Sequence, residues 1–192
     1  MGLGMFVVAG PPGSGKSTMF PVAKFGCQYF NADDRAAELN GGSYIDIPMG
    51  IRRRVNREFE EFVLGCIDSR LNFALETTLR SNGTFEQAEL AKAAGFRVEI
   101  RYLALRNFEM HLKRVKARAD AGGHSASEPT LRRIYDASVG NLERAVSVAD
   151  ELWAYDNSDS HTPELVAQAR EGKLTFLSPP PPRWLSDALG LG

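Results

Sequence analysis

From Gly10 to Ser17 the chain reads Gly-Pro-Pro-Gly-Ser-Gly-Lys-Ser, which satisfies G-x-x-x-x-G-K-[ST] at every fixed position. Glycines at 10, 13 and 15 permit backbone conformations closed to other residues, so successive amide N–H groups can face one anion. A helix starting at about Gly15 would add its unpaired N-terminal donors and the positive end of its dipole, with Ser14 and Thr18 in the same binding stretch. Lys16 supplies a mobile point charge for the outer phosphates, and the Ser17 hydroxyl is the expected protein ligand of a magnesium ion. The alternative is a glycine-rich turn that happens to carry a lysine. A complete match placed directly after a strand pattern favours nucleotide binding.

Three further groups could act beside such a loop. Asn31, Ala32, Asp33 and Asp34 follow a short apolar run, where a kinase would keep the carboxylate that takes a proton from an acceptor hydroxyl. Asp33 is the preferred base, although Asn31 or Asp33 could also simply cap a helix. Glu76, Thr77, Thr78 and Arg80 sit at another strand end, and a carboxylate followed by two hydroxyls suits a polyhydroxylated or amide-bearing acceptor. The same threonines could instead cap or turn the chain. Finally, Asp156, Asn157 and Ser158 close a third strand, with Asn157 as a candidate contact to the nucleotide base or as turn material.

The elements that would position these groups alternate between strand and helix. Met5 to Ala9 is an apolar run with paired valines, too short for a free-standing helix. Lys16 to Phe25 reads as a helix interrupted or ended early by Pro21, with Gly26 as a stop. Cys27 to Phe30 is expected as a short buried strand, delivering Asp33 to the edge that carries the loop if the two strands are parallel neighbours. Ile51 to Leu71 is a long helix with Ile51, Val55, Phe59, Phe62, Cys66 and Ile67 on one face. Its Arg52, Arg53, Arg54 and Arg57 form a solvated face rather than an anion patch, because acidic residues follow at pairing distance, Arg54 with Glu58 for example. Strands are expected at Asn72 to Leu75, Phe96 to Leu105 and Glu151 to Tyr155, with an edge strand at Lys173 to Leu177. Between Ser81 and Gly95 the chain reads as a helix.

Phe108 to Ala119 is a basic helix carrying Lys113, Arg114, Lys116 and Arg118, and a second helix opens at Ser127, Glu128 and Pro129 and carries Arg132 and Arg133. Joined through Gly122, Gly123 and the turn residue His124, they read as a mobile helical lid over about 107–148, whose arginines, with Arg118 and Arg133 as candidates and the one that reaches the phosphates left open, would neutralise charge on a moving phosphoryl group. A solvated helical hairpin is the competing reading. Pro179 to Pro182, within a terminal strap of about 178–192, leads to Trp184, which should pack on the domain.

The 192 residues are 43% hydrophobic and 24% charged, with a net charge of −1, as expected of one soluble domain over 1–192. That balance offers no general attraction to nucleic acid or an acidic membrane, and no apolar stretch is long enough to span a bilayer. Cys27 and Cys66 lack metal-type spacing and no leader pattern precedes the first strand, so a cytoplasmic setting is expected. No internal repeat or dividing linker is evident.

Within the α/β class, the expected architecture is a P-loop NTPase three-layer sandwich with a central, mainly parallel sheet and a helical lid. The chain resembles the zeta-toxin family of P-loop kinases, particularly its short bacterial members. The resemblance rests on Gly10 to Thr18, Asn31 to Asp34, Phe73 to Leu79, Gly122-Gly123-His124, Arg132 to Tyr135 with Asn141-Leu142, and Tyr155 to Ser158. It implies ATP-dependent phosphorylation of a hydroxyl on a small molecule, UDP-N-acetylglucosamine in the best-known members. By position, Lys16 would hold the phosphates, Ser17 the magnesium, Asp33 would be the base, Glu76 and Thr78 would grip the acceptor, and arginines among 114, 118, 132 and 133 would stabilise the phosphoryl. Where relatives continue the lid turn with valine and proline, this chain has Ser125 and Ala126, and Arg80 replaces a small residue. An antitoxin partner would be a separate protein. The competing class is a nucleotide-dependent ATPase or switch acting through a partner protein. Against it, neither Phe30 nor Leu75 leads from four apolar residues into the aspartate such modules use.

Overall fold

The computed structural model describes residues 2–44, 46–120, 126–159 and 162–191. Along the chain they form β1 (Gly4–Ala9), α1 (Lys16–Met19), β2 (Gln28–Phe30), α2 (Ala32–Leu39), α3 (Met49–Asp68), β3 (Phe73–Thr77), α4 (Gly83–Ala93) and β4 (Arg97–Ala104). There follow α5 (Phe108–Asp120), α6 (Glu128–Gly140), α7 (Leu142–Val148), β5 (Glu151–Asp156), β6 (Glu164–Arg170), β7 (Lys173–Leu177) and α8 (Arg183–Leu189). Among the described residues the strands make one seven-stranded sheet in the order β2-β3-β1-β4-β5-β6-β7. The pairings from β2 to β5 are parallel, and β6 and β7 add antiparallel to the β5 side. This is the mainly parallel P-loop NTPase-like α/β fold expected from the alternation of strand and helix.

The central strands β1 and β3 are mostly apolar, β4 alternates charged residues with buried apolar ones before a wholly buried end, and the alternation sends two unequal sets of side chains outward. Met5, Val7, Phe73, Leu75, Val98, Ile100, Tyr102 and Leu152 meet residues of α3, α4, α7 and α8 in the main core. The opposite face packs Val8, Ala74 and Leu103 against Val22 and half-buried Met19, Phe20, Phe25 and Tyr155. That second layer is thin because the helix expected over Lys16 to Phe25 stops at Met19. Pro21 supplies no N–H and forces Phe20 out of helical backbone, to φ −132°, so only a single 3-10 turn, Val22–Lys24, follows. The Arg101 guanidinium covers the gap, 5.3 Å from the Phe20 ring centre and 4.8 Å from that of Phe25.

Other expectations need correction. β2 is a partly exposed edge strand rather than a buried one, and β3 lies between it and β1, so the two are not neighbours. Even so, parallel pairing with β3 brings Asp33 to the carboxyl end of the sheet. β3 extends two residues beyond Leu75, which places Glu76 and Thr77 inside the strand. β6 had no sequence counterpart. The strap ends in a helix, α8, where Trp184 is 3% exposed, packs 5.8 Å from Tyr102 and donates its indole N–H to Asp156 at 3.0 Å. The expected Arg54–Glu58 pair forms at 2.8 Å, and Arg35 joins the same carboxylate at 2.6 Å, tying α2 to α3. Gly122, Gly123, His124 and Ser125 lie outside the described residues.

Candidate functional site

The loop between β1 and α1 is built by close approaches from elsewhere in the chain. At Gly15, φ is +93° and a Cβ would collide with the Asn157 side-chain nitrogen, so both conformation and space demand glycine. At Gly13 a Cβ would lie 2.8 Å from the His111 carbonyl and 3.1 Å from Val115, because α5 is seated directly on the loop. Lys16 is 7% exposed and turns its ammonium to the carbonyls of Gly10 at 2.7 Å and Pro11 at 3.2 Å. Burial holds its pKa below the ordinary lysine value, opposed by the nearby charges of Glu76 and Asp33 and assisted by that of Arg118.

Glu76 faces this loop. The parallel register sets Val8 beside Glu76, and the Ser17 hydroxyl donates to the Glu76 carboxylate, 3.1 and 2.9 Å from its two oxygens. Placed there, Glu76 stands on the donor side of the site and not only where an acceptor would be gripped. Thr18 is exposed on α1. Thr77 is engaged in the turn, its hydroxyl taking the Leu79 N–H at 3.1 Å and meeting Thr84 at 3.3 Å. Leu79 is fully buried at φ +59°, with its carbonyl held by Asn141 at 2.8 Å, while Thr78 is half-buried and Arg80 exposed.

Across the sheet edge, Asn31 caps α2 by accepting from the N–H groups of Asp33 at 3.0 Å and Asp34 at 3.3 Å. The cap is therefore Asn31, which leaves the exposed Asp33 carboxylate within electrostatic reach of Lys16. Asp34 accepts from the Tyr44 hydroxyl at 2.9 Å.

Asn157, the candidate contact to a nucleotide base or turn residue, has its amide partner within the loop. Only 1% exposed, it lies beneath the loop, where its amide donates to the Ser14 carbonyl at 2.8 Å. Ser14 itself is fully buried. Arg114 crosses from α5 to the carbonyls of Asn157 at 2.8 Å and Ser158 at 3.3 Å. Arg118 lies near enough to affect Lys16. Arg132 instead stacks 3.7 Å over Phe108 and pairs with Glu109 at 3.3 Å, and Arg133 is exposed with no ion pair among the described residues. The first turns of α5 are thus fastened to the loop, and Ser138 on α6 meets Tyr102 at 3.1 Å. A rigid-body lid comprising both whole helices would have to break these contacts.

Sequence reasoning passed over His111. It occupies the apolar stripe Phe108, His111, Leu112, Val115 at helical spacing, the one signal that marked it as buried among basic neighbours. Burial pushes its pKa down to about 4.

The family described as an AAA domain matches residues 5–137. An uncharacterized protein of Haemophilus influenzae is 30% identical over 129 residues, covering 66% of this chain and 88% of that protein. The crystal structure of AvrRxo1-ORF1:-ORF2 with ATP is similar at a TM-score of 0.68 and 17% identity over 91% of this chain, which spans only 60% of that one. The PezAT chromosomal toxin-antitoxin system of Streptococcus pneumoniae gives a TM-score of 0.63 at 15% identity, covering 98% of this chain and 77% of that one. At these identities the two structures speak for a shared P-loop α/β fold.

Proposed function

This chain belongs to the AAA-domain family of P-loop proteins, and from that membership we propose that it is an ATP-dependent small-molecule kinase. The observation that carries the reading is that two carboxylates from different strand ends lie within electrostatic reach of Lys16: Glu76, which accepts from the Ser17 hydroxyl and would stand on the metal side, and the separate, exposed Asp33. An ATPase needs the first; a kinase needs both.

In this reading Lys16 and the loop N–H groups hold the phosphates of ATP. Asp33 accepts the proton of the acceptor hydroxyl as its oxygen bonds to the terminal phosphorus and the bond to ADP breaks. Arg118 balances the charge on the moving group. Ser17 and Glu76 offer hard oxygen donors, and among the described residues no cluster of three or more His, Cys, Asp or Glu forms a closed cage. That set suits magnesium, which prefers one or two protein oxygens and otherwise phosphates and water. When bound there, the ion would neutralise phosphate charge.

The zeta-toxin resemblance supports a nucleotide sugar such as UDP-N-acetylglucosamine as acceptor with Thr78 as a contact, Arg80 is a further contact proposed from its place at the same strand end, and the toxin-antitoxin neighbour supports an antitoxin as partner. The switch reading gains one observation, since Glu76 ends Phe73-Ala74-Leu75 and engages Ser17 as an ATPase carboxylate would. Labelled ATP, magnesium and a panel of nucleotide sugars, nucleotides and simple metabolites separate the two. A labelled product is expected, absent with Lys16→Ala and reduced about a hundredfold or more with Asp33→Asn. Slow phosphate release alone, equal in wild type and Asp33→Asn, would overturn the kinase reading in favour of the switch.

A further inference from the structure

We infer that His111 is a positioning residue for the nucleotide: by gripping the Pro12 carbonyl it holds the neighbouring Gly13 N–H turned into the phosphate loop. The inference rests on the nucleotide-binding part of the proposed function. Its basis is geometric. The Leu105 N–H donates to His111 Nε2 at 2.9 Å, which fixes the neutral ring with its proton on Nδ1, and Nδ1 lies 2.9 Å from the Pro12 carbonyl. The ring is 2% exposed and both nitrogens are engaged, so it forms a rigid bridge between the end of β4 and a loop residue 99 positions away.

A peptide unit is planar, with its C=O and N–H pointing to opposite sides. An anion-binding loop must aim N–H groups inward, and each one that turns inward sends the preceding carbonyl outward, where in a buried setting it needs a donor. This chain supplies two. Asn157 takes the carbonyl of Ser14 and thereby orients the Gly15 N–H, and His111 takes the carbonyl of Pro12 and orients that of Gly13. Neither side chain needs to touch a phosphate to set the direction of the donors that do.

The surroundings keep the ring in its working form. Lys16 on α1 and Arg114 on α5 oppose a positive charge, Asp156 on β5 favours one, and the Tyr135 ring of α6 lies 5.2 Å away. A cationic ring would also point a proton at the Leu105 N–H, costing that bond.

Three substitutions separate the two bonds. His111→Asn keeps a donor near the Nδ1 position for Pro12, His111→Gln keeps an acceptor near the Nε2 position for Leu105, and His111→Phe fills the space with neither. The probe is a fluorescent ADP, titrated into folded protein, with thermal unfolding recorded for each variant. Relative to wild type, His111→Phe and His111→Gln should weaken ADP binding about tenfold, the value of one hydrogen bond, while His111→Asn recovers most of the affinity. Equal affinity in His111→Phe and wild type, or recovery by Gln rather than Asn, overturns the inference while leaving the nucleotide site intact. Should His111→Phe fail to fold, the Asn and Gln pair decides alone. Wild type that binds no ADP removes the nucleotide reading and this inference together. Ring nitrogen NMR adds a check free of affinity: the neutral ring should carry its proton on Nδ1, and a proton on Nε2 instead would refute the geometry.

Discussion

Gly15 and Asn157 compete for one small volume, and a double-mutant cycle on them measures how tightly the loop is built. In Gly15→Ala the methyl group must sit at φ +93°, costing about 1–2 kcal/mol of left-handed backbone strain. It also evicts the Asn157 amide, breaking the 2.8 Å bond to Ser14 and leaving a buried carbonyl unpaired, for about 1–3 kcal/mol more. Asn157→Ala loses that same bond, and so the same about 1–3 kcal/mol. In the double variant the bond is lost once and no amide remains to be displaced. The combined loss should therefore fall short of the sum of the single losses by about 1–3 kcal/mol. Denaturant unfolding of the four proteins gives each value directly. Additivity within about 0.5 kcal/mol would show that the two residues do not share this space and would refute the packing argument.

His111, pushed down to about 4 in the folded chain, returns to its ordinary 6.5 on unfolding. The unfolded chain therefore takes up the proton first as pH falls, so stability is full above about pH 6.5 and declines toward pH 4, by about 3 kcal/mol in all. His111→Phe, which cannot titrate, should lack this part of the slope; parallel stability profiles for the two proteins would disprove it. Glu76→Gln should raise the magnesium needed for half-maximal turnover about tenfold or more, by weakening the support of Ser17, and an unchanged magnesium curve would remove Glu76 from the donor side. Trp184→Ala should cost about 3–5 kcal/mol in unfolding, and Trp184→Phe about 1 kcal/mol for the lost Asp156 bond; losses below 1 kcal/mol in the alanine variant would mean that α8 is not part of the core.

What could be read in advance was whatever depends on neighbours in sequence. The loop motif, the apolar β1 and the long amphipathic α3 all carry their reasons within a dozen residues, and each stands close to where it was expected. β6 did not, because Glu-Leu-Val-Ala-Gln-Ala-Arg lacks strict alternation, is rich in alanine and is held as a strand by its antiparallel register with β5. Glu76 was legible as a chemical residue, but its side of the site depended on β3 reaching Thr77 and pairing with β1. Asn157 and His111 are harder still: a turn residue and a helix residue acquire their roles only by meeting loop carbonyls 143 and 99 positions away. Pro21 shows the converse, a local breaker seen plainly whose consequence, a thin second layer on the sheet, was not.

Those same long spans bear on how the protein is made. On the ribosome the phosphate loop emerges before the residues that support it, since His111 and then Asn157 are synthesised 99 and 143 positions after their partners. Until both have arrived the loop's outward carbonyls have no partners, and contacts of such long sequence separation are slow to form. Nucleotide capture thus becomes a late event of biogenesis, and a chain interrupted before residue 157 would carry the complete motif and still fail to assemble its cradle. That order keeps unfinished chains from holding a nucleotide.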